Sequence, residues 1–435
     1  MIVKNKKVAL FVQRYLIGSS PTIVHAVECL VERGYAVDLI VYRCINVNDV
    51  TFDSAMVRVI DITKAVDEKH AGKHVVGTWQ RLGHNVVRLV ETRADTRNWG
   101  WPVSSVGWLH PFTSYHIVLS AQARAAAARM NGAEYTFFIG FDTDGLNLAS
   151  RVKEQCRIKV PVVYWNLEIL FADTSFDRCV GRHLEIKNHH RSVATIIQDE
   201  ARAEILGRHN RLAHTDMLLL PCAVRGRPVR RKSDYLRRMF HIPDDKKIVL
   251  YAGSIQPWAM CEEMLATVCD WPEDWVLVMH TFHPVTWRYP SQLMTTIRAR
   301  YQGRVFVSSR PVKYEELDQV IAGGDIGIGF YRDSEPGNTV VGTASGKFAY
   351  YCRCGIPFIT NDYPSLRRIA DRYGCAEVLP EISGRFIGQA IEKIVTAYET
   401  YRENAFRCFE MLYSFDAHFE SIIAAVESQI AGAAG

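Results

Sequence analysis

The residues with the clearest chemical promise form a short run, Ser345-Gly346-Lys347, inside the stretch TASGKFAYYCRCGIPFITND from Thr343 to Asp362. Just before it, DIGIGF (Asp325 to Phe330) reads as a buried strand and YRDSEPGNTVVG as the loop that follows. A helix then starts at Ser345 or Gly346, with a Ser or Thr cap ahead of FAYYCRC, and Gly355-Ile356-Pro357 ends it before the strand PFIT. Such a helix start presents free backbone N–H groups and the positive end of the helix dipole. Here Gly346 lets a ligand approach the backbone, and Lys347 adds a full charge. A phosphate or diphosphate fits that combination; the plainer alternative is that Ser345 and Gly346 only cap a core helix. The run is not a P-loop. Gly342 is followed by only three residues before Gly346-Lys347, and Phe348 replaces the magnesium-binding hydroxyl, which excludes an ATPase or kinase.

The elements that must position this run repeat along the second half. KKIVLYAGSI is a strand ending in Gly253-Ser254, CEEMLATVCDW a helix, DWVLVMHTF a strand, QLMTTIRARY a helix, RVFVSS a strand and KYEELDQVIAGG a helix leading into DIGIGF. Strands alternating with helices predict a doubly wound parallel sheet, which binds ligands at the carboxyl ends of its strands. Gly253 and Ser254 are therefore expected beside Thr343, Ser345, Gly346 and Lys347, with Pro311 and Val312, at the end of a neighbouring strand, lining a base.

The first half shows the same alternation. KKVALFVQRYL, the loop IGSSPT, the helix IVHAVECLVERG and the strand YAVDLIVYR make a βαβ unit. The loop lacks Gly-x-Gly-x-x-Gly, which argues against a nicotinamide or flavin enzyme, while Ser19 and Ser20 stand where a substrate can sit. NWGWPVSSVGWLHPFTSYH, with Trp99, Trp101 and Trp108, is either a covering loop or an aromatic platform for sugar rings or a membrane surface. The helix SAQARAAAARMNG and the strand YTFFIGF follow, then Asp142-Thr143-Asp144, whose spacing holds a metal and nucleotide in one large class of sugar transferases. Capping the helix GLNLASRVKEQC is the plainer duty, and orienting an acceptor hydroxyl a third. Glu168, near the carboxyl end of VPVVYWNLEIL, can orient a hydroxyl or act as a base, or simply face water. His189 and His190 point about 100° apart on a helix, cannot share a metal, and are expected on the surface.

At 435 residues the chain predicts two domains, and 48% hydrophobic with 23% charged residues is a globular composition. The expected division is 1–222, a basic connection over 223–245, 246–415, and a terminal helix with a short disordered tail over 416–435. The arginine-rich Val224 to His241 reads as a solvated linker or an anion-binding surface. A net charge of +5 is too mild for a dedicated nucleic-acid binder. No run approaches the roughly 20 apolar residues of a membrane helix, and the N-terminus lacks a signal pattern. A cytoplasmic protein is expected, with the inner membrane face permitted. Eleven scattered cysteines, such as Cys29, Cys269 and Cys375, read as reduced, and Cys352 and Cys354 have no second pair to complete a zinc site.

Taken together, FFIGFDTDGLNLA, VPVVYWNLE, GGDIGIGFY and SGKFAYYCRCGIPFI resemble the two-domain sugar transferases of GT-B fold, most of all the glycosyltransferase family 4 group. The resemblance implies two Rossmann-like domains facing a cleft. It also implies a nucleoside diphosphate sugar donor in the C-terminal domain, a saccharide, lipid-linked or protein acceptor in the N-terminal one, and a final helix, here His418 to Ile430, crossing back. It implies metal-independent, configuration-retaining transfer without a further cofactor. Lys347 matches the lysine of the donor helix, and Gly253 and Ser254 the glycine-rich turn near the phosphates. Tyr350 and Gly342 stand at the group's two glutamate positions, and Gln256, Pro257 and Trp258 where it carries basic residues. The same architecture also serves sugar-nucleotide 2-epimerases and non-catalytic nucleotide-sugar-binding subunits.

Overall fold

Seven runs of β-branched and aromatic residues pair into one parallel sheet in the first part of the computed structural model, which describes residues 6–13, 21–44, 52–71, 114–130, 132–169, 176–281, 288–308, 312 and 316–434. The strands are β1 (Lys7–Gln13), β2 (Ala36–Tyr42), β3 (Val57–Asp61), β4 (Phe137–Phe141), β5 (Val162–Trp165), β6 (Ala194–Ile197) and β7 (Leu218–Leu219), in the order β3-β2-β1-β4-β5-β6-β7. All five residues of β4 are buried, as expected of a parallel strand with both faces covered. The order reverses between β1 and β4. There a Cβ on Gly145 would fall 2.4 Å from the Phe11 carbonyl oxygen, so the first turn of the helix that follows β4 can tuck against β1 only with glycine. The short, weakly alternating β3 was not apparent from periodicity; Arg58 secures it through an Nε bond of 2.9 Å to the buried Asp38 of β2.

The second part repeats the design with β8 (Lys247–Ala252), β9 (Trp275–His280), β10 (Val305–Ser308), β11 (Ile326–Gly329), β12 (Phe358–Asn361) and β13 (Ala376–Leu379), all parallel in the order β10-β9-β8-β11-β12-β13. Two doubly wound α/β sheets are therefore present, as the alternation predicted. The chain divides into one unit of Met1–Leu220 with Phe419–Gly435 and another of Pro221–His418.

Three expectations need correction. The arginine-rich segment is not a free connection but part of the second unit. Val224 and Leu236 are fully buried in its core, Val229 N–H donates to the Arg353 carbonyl at 2.8 Å, and Tyr235–Phe240 is a short helix. Its arginines are largely spoken for, Arg230 by Glu403 at 2.8 Å and Arg237 by the Pro243 and Lys246 carbonyls at 2.8 Å each. Next, the tail is helical as far as Ala434: the last helix runs unbroken over Phe415–Ala434, alanine being the strongest helix former. Its later part belongs to the first unit, where Phe419 stacks on Trp165 at 6.4 Å and Glu427 accepts from Lys6 and Arg33 at 3.0 Å each. Finally, the helix after the tryptophan-rich stretch begins at Ser114, earlier than expected, so Ser114, Tyr115 and His116 are helical. Trp99, Trp101 and Trp108 lie outside the described residues.

Candidate functional site

The helix Gly346–Arg353 packs along β11 and against β8, its first turn at the carboxyl end of β11, beside the point where the strand order of the second sheet reverses. It can lie so close because alternate residues on one face of β11 are glycines. A Cβ on Gly327 would fall 2.5 Å from the Tyr351 ring, and one on Gly329 would fall 2.7 Å from Lys347 Cδ. Lys347 and Tyr351 are one helical turn apart and so share the face that meets this bare strip. Tyr351 locks the packing: its hydroxyl accepts the Ala252 N–H at 3.0 Å and lies 2.8 Å from the Leu250 carbonyl oxygen, tying the helix to the end of β8.

Lys347 itself runs between glycines. Gly329 is on one side, and on the other a Cβ on Gly253 would sit 3.2 Å from Lys347 Cε. Its ammonium is walled by rings, 4.3 Å from the Tyr331 centroid, 5.0 Å from Tyr251 and 5.9 Å from Trp258. Its Nζ is buried and has no hydrogen-bond partner among the described residues. Cation–π contacts of this kind contribute about 0.5–2 kcal/mol, while withdrawing an ammonium from water costs several. The rings offset only part of that cost, so the charge is left wanting an anionic oxygen.

Around the lysine, the sequence-derived set divides. Gly346 is half-exposed, with no atom within 4 Å of where its Cβ would be, so the first helical turn can be approached. Ser345 is the N-cap by backbone conformation but makes no side-chain cap; its buried hydroxyl instead accepts from the Tyr331 hydroxyl at 2.6 Å. Gly253 supplies room rather than a donor, because its N–H is taken by the His280 carbonyl at 2.9 Å. Ser254 uses its carbonyl to accept from the Tyr251 hydroxyl at 2.6 Å. The Thr343 carbonyl accepts the Cys222 N–H at 2.8 Å. Tyr350 is turned into the core cluster, 5% exposed, and Val312 packs at the edge of the same cluster, while Pro311 lies outside the described residues.

Sequence reasoning missed Tyr251, Trp258, Tyr331 and Gly329. The signal available was the Gly-x-Gly of DIGIGF, since two glycines at strand spacing strip one face. Gly342, where the resembling group has its first glutamate, admits no side chain here: a Cβ would meet the Ser365 carbonyl oxygen at 2.7 Å. Where basic residues were expected, Trp258 stacks on Tyr331 at 5.7 Å, and Arg332 donates its N–H to the Trp258 carbonyl at 2.8 Å and pairs with Glu263.

In the first unit Asp142 takes a different duty from those expected. It is the first residue of the helix Asp142–Cys156, at φ 53°, and Phe141 rather than Asp142 is its N-cap. Its carboxylate accepts the N–H groups of Leu167 at 2.6 Å and Glu168 at 2.9 Å, pinning the loop after β5. Asp144 accepts from the Tyr115 hydroxyl at 2.8 Å and Thr143 donates to Glu185 at 2.7 Å, so all three members of Asp-x-Asp are held by protein groups. Glu168 has an exposed side chain on the backbone that Asp142 secures. Ser19 and Ser20 lie outside the described residues.

One further expectation is overturned by packing. His189 is buried, not on the surface: its ring nitrogens meet Thr195 Oγ1 at 2.8 Å and Asn210 at 2.7 Å, and burial pushes its pKa down to about 4. Of the cysteines, Cys269 is exposed, and Cys352 meets partners remote in sequence, with its thiol and those of Cys375 and Cys408 within 4.8 Å of one another. No helix among the described residues is long and apolar enough to cross a membrane.

Two doubly wound sheets of this topology define the GT-B fold. No family model matches the chain, and no curated protein matches it in sequence. Solved structures do. Sucrose-phosphate synthase of Thermosynechococcus elongatus is 13% identical with a TM-score of 0.67, over 98% of this chain and 100% of that one. HepE of Anabaena in complex with UDP-glucose is 12% identical with a TM-score of 0.63, over 97% of this chain and 99% of that one. The α,α-trehalose 6-phosphate synthase of Burkholderia multivorans is 13% identical with a TM-score of 0.64, over 99% and 100%.

Proposed function

We propose that the protein is a glycosyltransferase, of hexosyltransferase type, that moves a sugar from a nucleoside diphosphate sugar to an acceptor hydroxyl in glycan or glycoconjugate synthesis. The observation that carries this reading is Lys347: a buried ammonium without a hydrogen-bond partner among the described residues, beside the approachable first turn of a helix, at the switch point of the second sheet. Two positive features converging there suit a diphosphate leaving group, which must gain charge as the glycosidic bond breaks. HepE, a structure of the same fold, was solved with UDP-glucose.

In this mechanism the leaving diphosphate sits over Gly346, with the Lys347 ammonium swung by side-chain rotation from its ring-lined slot onto a phosphate oxygen. Charge neutralisation comes from the protein and needs no metal, in keeping with Asp142 and Asp144 being committed to protein donors. Glu168, exposed at the end of β5 and fixed through its backbone, orients the acceptor hydroxyl. Retention of the anomeric configuration belongs to the same reading: the acceptor hydroxyl attacks on the face that the diphosphate leaves, which calls for no side-chain nucleophile. The acceptor is a saccharide, a lipid-linked saccharide or a protein.

A thermal-shift panel of UDP-, GDP-, dTDP- and CMP-sugars on wild type and Lys347→Met tests this directly. At least one nucleoside diphosphate sugar is expected to raise the wild-type midpoint and leave the variant unmoved. Failure of every donor to shift the wild type overturns the reading. NMR of the product formed with the binding donor then reports the anomer.

A further inference from the structure

Cys352, Cys375 and Cys408 come from three separate elements of the second unit. The first is on the helix Gly346–Arg353, the second just ahead of β13, and the third closes the helix Tyr398–Cys408. Each is fully buried, and none is in a disulfide. Their sulfur atoms lie within 4.8 Å of one another.

That spacing is close to what one ion needs. Three points no more than 4.8 Å apart share a centre no farther than about 2.8 Å from each, and a zinc–thiolate bond is about 2.3 Å. Movements of roughly half an ångström per sulfur would close the difference. Thiolates select soft ions such as zinc and monovalent copper. Charge is also provided for: Arg407 donates to the Tyr373 carbonyl at 3.2 Å, and its guanidinium acts electrostatically on Cys375, as that of Arg372 does on Cys408. The remaining surroundings are apolar, with Tyr373, Phe409 and Tyr413 in the same core cluster. Such walls exclude water, and a trapped ion would exchange slowly.

We propose that Cys352, Cys375 and Cys408 form a three-thiolate site for a soft d10 ion, zinc or monovalent copper, that staples together the helix carrying Lys347, the start of β13 and the helix Tyr398–Cys408. On binding, each thiol gives up its proton and each thiolate forms one sulfur–metal bond, with no change of oxidation state. Because the site is sealed, the ion enters as the unit folds. Its role is structural and does not depend on the transferase reading.

The test begins with the whole protein, expressed in medium supplemented with zinc or with copper under reducing conditions and passed through a chelator. Elemental analysis is expected to find about one equivalent of one ion per chain, and the supplementation arms identify which. X-ray absorption at that metal's edge is expected to show sulfur neighbours at about 2.3 Å. Cys375→Ser should lose the ion and unfold several degrees lower than wild type. Metal-free wild type in both arms overturns the proposal, as does a metal whose neighbours are nitrogen and oxygen. So does an ion that Cys375→Ser retains in full. Should that variant not fold, the absorption spectrum of the wild type decides alone.

Discussion

Gly329 and Lys347 are a matched pair: the strand residue lacks the side chain whose first carbon would stand 2.7 Å from the lysine's Cδ. The slot for the ammonium is thus cut by a glycine on a strand and another, Gly253, at a strand end, while the helix supplies only the occupant. Gly329→Ala must displace the lysine or lift the helix. We expect a loss of tenfold or more in kcat/KM, roughly 1.4 kcal/mol of transition-state stabilisation, with the far-ultraviolet spectrum unchanged. Wild-type kinetics in this variant would separate the slot from the activity.

Lys347→Ala removes the charge itself. Deleting one contact to developing negative charge commonly costs about 2.7–4 kcal/mol, so turnover should fall by a hundredfold or more in a folded protein. Lys347→Arg is expected not to rescue it, because a planar guanidinium is too broad for a passage bounded by two glycines and three rings. Steady-state rates with the donor found by thermal shift check both variants, and normal turnover by Lys347→Ala would falsify the assignment.

Asp142 behaves differently. Its carboxylate holds two backbone N–H groups, so Asp142→Ala should cost about 1.5–3 kcal/mol of stability. Denaturant titration measures that loss. Turnover of the wild type is expected to survive EDTA, because transfer as proposed here uses no metal at the Asp-x-Asp run. Abolition by EDTA, restored by magnesium or manganese, would contradict this.

Acid should destabilise the fold through its buried histidines. Burial lowers the pKa of His189 to about 4 and that of His280 to about 4, from an ordinary 6.5. Between those values the unfolded chain binds protons that the folded chain refuses. Stability from these groups is therefore complete above pH 6.5, declines as pH falls, and levels off below about 4. Each contributes on the order of 3 kcal/mol across that window. Denaturation midpoints at pH 7 and pH 5 should differ accordingly, and His189→Gln should flatten the dependence. A midpoint independent of pH in the wild type would rule this out.

The two sheets were legible in the sequence because parallel strands covered on both faces are written as unbroken apolar runs, as in FFIGF and IVLYA. So was the helix start at Gly346, since punctuation by Ser, Gly and Pro is a local property. β3 escaped notice because it is held by Arg58 and Asp38, a long-range contact that leaves no periodic trace. The arginine-rich segment misled because composition suggested solvent, whereas Val224 and Leu236 carry it into a core.

What the chain alone determined was the winding of its two α/β units and the helix that bears Lys347, because both follow from hydrophobic period and capping within a few residues of each feature. Only the tertiary structure decided that Gly329 and Gly253 bracket that lysine, that three aromatic rings enclose its charge, and that Asp142 accepts two backbone N–H groups. The same holds for Cys352, Cys375 and Cys408, which span more than fifty positions and share one spot in the core. Contacts of that reach depend on how sheets twist and helices dock, and a one-dimensional pattern does not encode them residue by residue.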